Sequence, residues 1–257
     1  MNFLTRVFIL FSIVALLGVK NVYAQSYTDA YPSNILKQIV NSSVMAEVTK
    51  SGNLYENPDD KSKTVGIIEI GDKLEILEDK TTIWYRVFNH LNGDIGWIKK
   101  EYINIPLDEP SNKNVLKKED IEAFANMLQI KESSDDLVWV DIDRQLVYIL
   151  KRNKGLMELK NTIRCSTGKN ESPTPRGFFT IQERGVWFYS ERLKSGAKFW
   201  VRFHGSYLFH STPMNKSKEI IDYTIGEKSS SGCVRLALED AEWFYNSIQD
   251  GTIVFIN

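Results

Sequence analysis

Apolar and polar positions change rhythm several times along the chain. Val7–Val19 is an almost unbroken apolar run behind a single basic residue, Arg6. From Met45 to Ile105 the apolar residues gather in short runs: Val65–Ile70, Lys73–Leu77, Trp84–Phe88 and Ile95–Ile98. Gly66, Gly71 and Gly96 punctuate them, and Asn92-Gly93 is a hairpin-turn signal. Several short strands in so small a segment predict a small barrel. Pro106–Lys118 is polar and reads as a linker. Ile121, Phe124, Ala125 and Leu128 then fall at i, i+3, i+4 and i+7, which predicts a short amphipathic helix. Glu132–Asp136 breaks that pattern. Strands follow at Leu137–Asp141 and Gln145–Leu150 around a turn at Ile142–Arg144, with further strand-like runs at Phe178–Gln182, Lys198–Phe203 and Tyr207–Phe209. Near the end Ala241, Phe244, Tyr245 and Ile248 form one helical face. Gly251 stops that helix, and Thr252–Ile256 is a last strand. The fold class is mainly β.

The first residues bear on compartment. A basic start, an apolar middle and Val22-Tyr23-Ala24 before a cut describe a secretory signal peptide. The competing reading is an uncleaved anchor, but the run is short for a bilayer, which needs roughly 20 residues. The division that follows is 1–24 signal peptide, 25–44 flexible leader, 45–105 small barrel, 106–135 linker and short helix, and 136–257 second domain. An exported protein of the cell envelope (periplasm or cell wall), with no stable membrane anchor after cleavage, is the expectation. The 32 basic and 33 acidic residues nearly cancel, so nothing argues for nucleic acid as a partner.

Candidate chemistry centres on Ser230–Arg235, SSGCVR, ahead of the last helix. A cysteine preceded by glycine at the start of a helix meets outward-pointing N–H groups and a dipole that favours thiolate. Those amides also suit an oxyanion. The chain has two cysteines and three histidines. Two cysteines in an exported chain raise the possibility of a disulfide, yet a permanent bridge would silence Cys233 as a nucleophile. Cys165 reads as a small buried strand residue, with an oxidative bridge to Cys233 as the rival. His90 reads as a solvated loop residue, and His204 and His210 flank the Tyr207–Phe209 strand. No zinc-type ligand spacing, phosphate loop or dinucleotide motif occurs, so no metal or cofactor is implied.

Two resemblances sharpen this reading. Asn53-Leu54-Tyr55, Gly71-Asp72-Lys73-Leu74, Trp84-Tyr85-Arg86-Val87 and Gly96-Trp97-Ile98 before Tyr102 resemble a bacterial SH3 domain. This implies an SH3-like barrel able to bind cell-wall polymer, with Trp84 and Trp97 either in the core or at a surface. Leu208–Thr212 (LFHST) followed by SSGCVR, with Cys165–Lys169 (CSTGK) and Thr174–Ile181 (TPRGFFTI) upstream, resembles the YkuD-type L,D-transpeptidases over roughly Asp136 to Asn257.

That second resemblance implies a β-rich catalytic domain with a helix near its end. It implies Cys233 as nucleophile and His210 as general base, with the Ser211 carbonyl orienting the imidazole. Gly232 and Cys233 would supply oxyanion amides. Ser230, Ser231 and Arg235 would lie at the substrate, with Arg235 holding either the loop or a substrate carboxylate. Ser231 stands where many members have histidine, and the loop between His210 and Cys233 is lengthened over Asn215–Lys228. The implied partners are peptidoglycan stem peptides and carbapenem-type inhibitors. The implied reaction is transfer of a tetrapeptide stem through a thioester. The acceptor stays open among amine, water, a protein amine and a free D-amino acid. Two rivals are an NlpC/P60-type peptidase, in which the cysteine precedes the histidine, and a non-catalytic wall-binding protein. Here no histidine follows Cys233.

Overall fold

The computed structural model describes residues 33–130 and 135–257. The signal-peptide reading and residues 25–32 of the predicted leader lie outside the described residues.

Seven strands form the first sheet: β1 Val44–Val48, β2 Gly52–Tyr55, β3 Thr64–Ile68, β4 Lys73–Lys80, β5 Trp84–Asn89, β6 Ile95–Lys99 and β7 Ile103–Asn104. Their order is β3-β2-β6-β5-β4-β1-β7, and every pairing is antiparallel. Alternate residues, among them Leu54, Ile68, Leu74, Ile76, Tyr85, Val87 and Ile98, fill its core. Asn92-Gly93 sits in a longer β5–β6 loop than a two-residue turn. Asn89 N–H donates to Asp94 O at 2.9 Å, Gly93 N–H donates to Asn89 O at 2.8 Å, and Gly93 has φ +82°. Trp84 and Trp97 are half-buried and stand outside the core cluster. Tyr55 meets Trp84 edge-on at 5.9 Å, Trp97 pairs with Tyr55, and Lys99 Nζ lies 5.3 Å from the Trp84 ring centre.

Among the described residues, two α-helices precede the second sheet: α1 Ser33–Gln38 and α2 Lys118–Met127. The sheet itself has nine strands: β8 Asp136–Asp141, β9 Leu146–Asn153, β10 Leu156–Ser166, β11 Gly177–Thr180, β12 Arg184–Ser190, β13 Ser195–His204, β14 Tyr207–Ser211, β15 Val234–Leu236 and β16 Ile253–Ile256. Its order is β11-β16-β8-β9-β10-β15-β14-β13-β12, with parallel pairs at β14/β15 and β16/β8. The sheet curls into a half-barrel. Past β11, Gln182 N–H donates to Arg202 O of β13 at 2.8 Å, and Arg202 N–H donates to Glu183 O at 2.9 Å. A third helix, α3 Leu238–Ser247, fills the concave side with Ala241 and Phe244, the latter stacked on Phe209 at 4.5 Å.

Both faces of the central strands are covered. Val138 and Val140 join the inner core, while Leu137 and Trp139 join an outer one beneath α1 and α2. That is why Leu137–Val140 reads as a continuous apolar run rather than an alternating one. The outer core corrects the flexible-leader reading for part of its length, because Ile35 and Ile39 are buried there beside Phe124 and Trp139. The polar linker is also pinned down. Asp108 Oδ1 accepts from Asn170 N–H at 2.6 Å, Asn112 Nδ2 donates to Asp143 Oδ2 at 2.8 Å, and Arg144 Nε donates to Asn114 O at 2.8 Å. Asp108, Asn112 and Asn114 thus tie the linker to the second domain, although most of its residues are exposed.

The two sheets meet through β4, β5 and the Glu171–Arg176 segment. Tyr85 Oη donates to Glu171 O at 2.8 Å, Ser172 Oγ donates to Asp79 Oδ1 at 2.6 Å, and Lys100 pairs with the Glu171 carboxylate at 2.6 Å. Arg176 forms an ion pair with Glu75, which also faces His90 Nε2 at 2.7 Å. Both side chains of the Arg176–Glu75 pair are buried, so removing one leaves an uncompensated charge. Glu75→Ala is expected to lower unfolding free energy by roughly 3–5 kcal/mol in denaturant titration. A loss under about 1 kcal/mol would show that water or another group compensates Arg176.

Candidate active site

The site forms where β14 and β15 run side by side. Phe209 pairs with Val234, His210 with Arg235, and Ser211 with Leu236. Opposite residues of a parallel pair share a face, and the face alternates along each strand. His210 and Arg235 therefore share the face away from the core, and one alternation back brings Leu208 and Cys233 to the same side. Phe209, Val234 and Leu236 enter the core on the other side. Continuing the register one residue ahead of β15 makes Cys233 the diagonal neighbour of His210.

His210 is buried, with the edge of Phe188 against it at 5.6 Å. Its Nδ1 lies 2.5 Å from the Ser211 carbonyl. A carbonyl only accepts, so Nδ1 carries the proton and Nε2 keeps its lone pair. Burial pulls the His210 pKa down to about 4. The Ser211 bond opposes that shift and the nearby Arg235 charge adds to it. His204 is exposed and stacks on Tyr207 at 6.2 Å, while His90 sits in the first sheet with Glu75.

The Cys233 thiol is directed at Ser206 O, 3.9 Å away. Burial pushes its pKa up to about 11, opposed by the Leu208 N–H and by the charges of Arg235 and Arg202. At neutral pH both His210 and Cys233 are uncharged. One sequence expectation needs correction here. Cys233 does not open a helix: β15 follows it directly, and α3 begins only at Leu238. The helix dipole fades within its first turn, so it contributes little at the sulfur. The alternation Val234-Arg235-Leu236, pairing on both sides with β14 and β10, explains the strand.

Local hydrogen bonds shape the loop before Cys233. Ser230 Oγ donates to Cys233 O at 2.5 Å and accepts from Gly232 N–H at 3.1 Å. The Gly232 amide is thus directed at Ser230 Oγ in this structure. Ser231 is exposed and Ser230 buried. Gly232 has φ +101°, and a Cβ placed there would lie 2.5 Å from the Tyr207 ring. Thr174 Oγ1 donates to Gly232 O at 2.8 Å and accepts from Gly168 N–H at 2.9 Å. Thr174 and Tyr207 are site residues that sequence reading did not assign; the threonine's place in TPRGFFTI was the available signal.

Arg235 Nη1 donates to Asp222 Oδ2 at 2.8 Å and approaches Ser229 Oγ at 3.4 Å, so its guanidinium holds the lengthened loop. Cys165 pairs with Leu236 and is fully buried in the inner core, on the face opposite Cys233. Both thiols are free, and a bridge would need side chains that point to opposite faces of one sheet to meet.

Comparison with known proteins adds to this geometry. Residues 135–256 match the YkuD family, described as an L,D-transpeptidase catalytic domain. Residues 135–256 are therefore a YkuD L,D-transpeptidase catalytic domain. Residues 50–104 match the bacterial SH3 domain family, so a YkuD domain follows an SH3 domain. The Bacillus subtilis (strain 168) protein named "Putative L,D-transpeptidase YciB" is 37% identical over 128 residues, covering 47% of this chain and 66% of that relative. Among solved structures, a Clostridium acetobutylicum ATCC 824 fused Zn-dependent amidase/peptidase/peptidoglycan-binding domain-containing protein is 26% identical, with a TM-score of 0.44. The match covers 57% of this chain and 66% of that one. An L,D-transpeptidase from Mycobacterium smegmatis is 21% identical, with a TM-score of 0.40, covering 48% of this chain and 59% of that one.

In this YkuD domain the Gly232 slot leaves no room for a side chain. Gly232→Ala combines a ring clash with a left-handed φ that costs an L-residue about 1–3 kcal/mol. The variant is expected to melt measurably lower and to lose Cys233 reactivity toward acyl donors. A wild-type melting temperature with full reactivity would mean that the slot opens easily.

Proposed function

We propose that the chain is a peptidoglycan L,D-transpeptidase that works by acyl transfer through Cys233. The observation that carries this reading is the imidazole of His210, its Nδ1 proton committed to Ser211 O and its Nε2 free on the face it shares with Cys233.

The thiol turns from Ser206 O toward His210. As sulfur attacks the carbonyl carbon of the third residue in a tetrapeptide stem, the thiol proton passes to Nε2 and a C–S bond forms. Charge collects on the former carbonyl oxygen. The Gly232–Cys233 peptide is planar and trans, so its C=O and N–H point opposite ways. Thr174 fixes the carbonyl, and the Cys233 N–H is thereby turned to the other side, where it serves the oxyanion. The C–N bond to the terminal D-alanine then breaks, and His210 returns its proton to the departing amine. An amine on the third residue of a neighbouring stem attacks the thioester and gives its proton to His210. That step closes a crosslink between third residues and restores the thiol. Water as acceptor would instead give L,D-carboxypeptidase activity, the second reading.

A working site in the cell envelope, reached through the Met1–Ala24 signal peptide, belongs to the same proposal. So does wall binding by the SH3 domain, supported by the half-buried Tyr55, Trp84 and Trp97 beside Lys99. The intact His210, Gly232, Cys233 and Arg235 set disfavours a purely wall-binding role for the whole chain.

A carbapenem offers a strained acyl carbonyl and needs no natural acceptor. Incubation is expected to add one inhibitor mass to the wild-type chain and none to Cys233→Ala or His210→Ala, by intact-mass measurement. His210 stays unprotonated down to its lowered pKa, so the adduct should form at near-constant rate from pH 7 to 5 and slow to half near about 4. No wild-type adduct, with the thiol free, would overturn the acyl-transfer reading. A midpoint near 6.5 would overturn the assignment of a buried neutral base.

A further inference from the structure

The SH3 domain touches a segment that holds the Gly232 carbonyl next to Cys233. Between Glu171 and Arg176, three residues are gripped by the first domain: Glu171 by Tyr85 and Lys100, Ser172 by Asp79, and Arg176 by Glu75. Within the same segment Thr174 holds the Gly232 carbonyl, and Pro173 O lies 3.4 Å from where a Gly232 Cβ would stand. On the other side of Gly232 stands Tyr207, buried, with the acidic side chains of Asp79 and Glu78 near its phenol. Asp79 thus stands beside this junction, its carboxylate bonded to Ser172 next to Pro173 and its charge near the Tyr207 phenol.

From this convergence we infer that the SH3 domain is a positioning element of the catalytic site, acting through the Asp79–Ser172 hydrogen bond. Asp79 meets neither the thiol nor the imidazole in the structure. It fixes Ser172, Ser172 fixes the approach of Thr174, and Thr174 sets the direction of the Gly232–Cys233 peptide. A tethered wall-binding module would leave the Cys233 amide indifferent to the barrel; this arrangement makes the amide depend on it. Asp79 Oδ2 also accepts from Thr82 N–H at 3.0 Å, closing the β4–β5 turn. Ser172→Ala therefore probes the link to the site without disturbing that turn.

The inference rests on the acyl-transfer reading, and its test separates the two. Full-length wild type, Asp79→Ala, Ser172→Ala and the double variant are compared in two rates at Cys233. Carbapenem acylation needs the oxyanion amide; alkylation by iodoacetamide at high pH needs only the thiolate. Misplacement by about an ångström costs up to about 100-fold in such chemistry. The ratio of acylation to alkylation is expected to fall about 10- to 100-fold in each single variant. The double variant should fall no further, because both residues act through one bond. Amide exchange over Ser230–Leu236, read by mass spectrometry, should rise in the same variants. An unchanged ratio and unchanged exchange in Ser172→Ala would overturn the inference, even if Asp79→Ala proves too unstable to assay. A wild type that alkylates but is never acylated would overturn the transpeptidase reading instead, and the exchange measurement would then decide the role of Asp79 alone.

Discussion

The hydrogen bond from Thr174 Oγ1 to the Gly232 carbonyl is the constraint on which the site depends. A backbone carbonyl in a left-handed glycine turn has two directions open to it, and the threonine selects one. Planarity of the peptide then selects the direction of the Cys233 amide. The same hydroxyl accepts from Gly168 N–H, so the Ser166–Gly168 stretch, the Thr174 turn and the nucleophile loop share one buried junction. Leaving such groups unpaired costs about 1–3 kcal/mol each, enough to keep the junction in a single arrangement.

Around that junction, burial keeps the proposed reacting pair, His210 and Cys233, uncharged, because it disfavours imidazolium at one and thiolate at the other. In the proposed reaction, proton transfer then accompanies attack rather than preceding it. Arg235 lies close enough to lower the His210 pKa, yet its guanidinium is occupied with Asp222 and the long loop. Loop anchoring and charge tuning therefore fall to one side chain.

Much of this was legible in the sequence. The short runs and glycines of residues 45–105 and the motif residues of the second half gave the mainly β fold, because strand periodicity and turn chemistry are local signals. His210 and Cys233 could be paired only through resemblance, since their adjacency arises from a parallel pairing across a long loop. Local pattern failed in identifiable places. SSGCVR looked like the start of a helix because α3 is near, yet Val234-Arg235-Leu236 is claimed as a strand by two neighbours. Ile35 and Ile39 were hidden in a polar segment because their partners, Phe124 and Trp139, are far along the chain. Asp79, Ser172 and Tyr207 carried no signal at all, because what they do depends on how two domains pack.

The central claim is that one fixed peptide amide makes Cys233 an acyl acceptor. Thr174→Val keeps the shape of the side chain and removes the hydroxyl, so it tests that claim most directly. The measurement is the single-turnover rate at which a tetrapeptide stem loses its terminal D-alanine to the enzyme, followed by mass of the thioester. The expected result is a fall of roughly 100-fold or more, the scale of losing an oxyanion donor, with Cys233 still alkylated at the wild-type rate. An undiminished rate of thioester formation would contradict the account and place oxyanion stabilisation elsewhere.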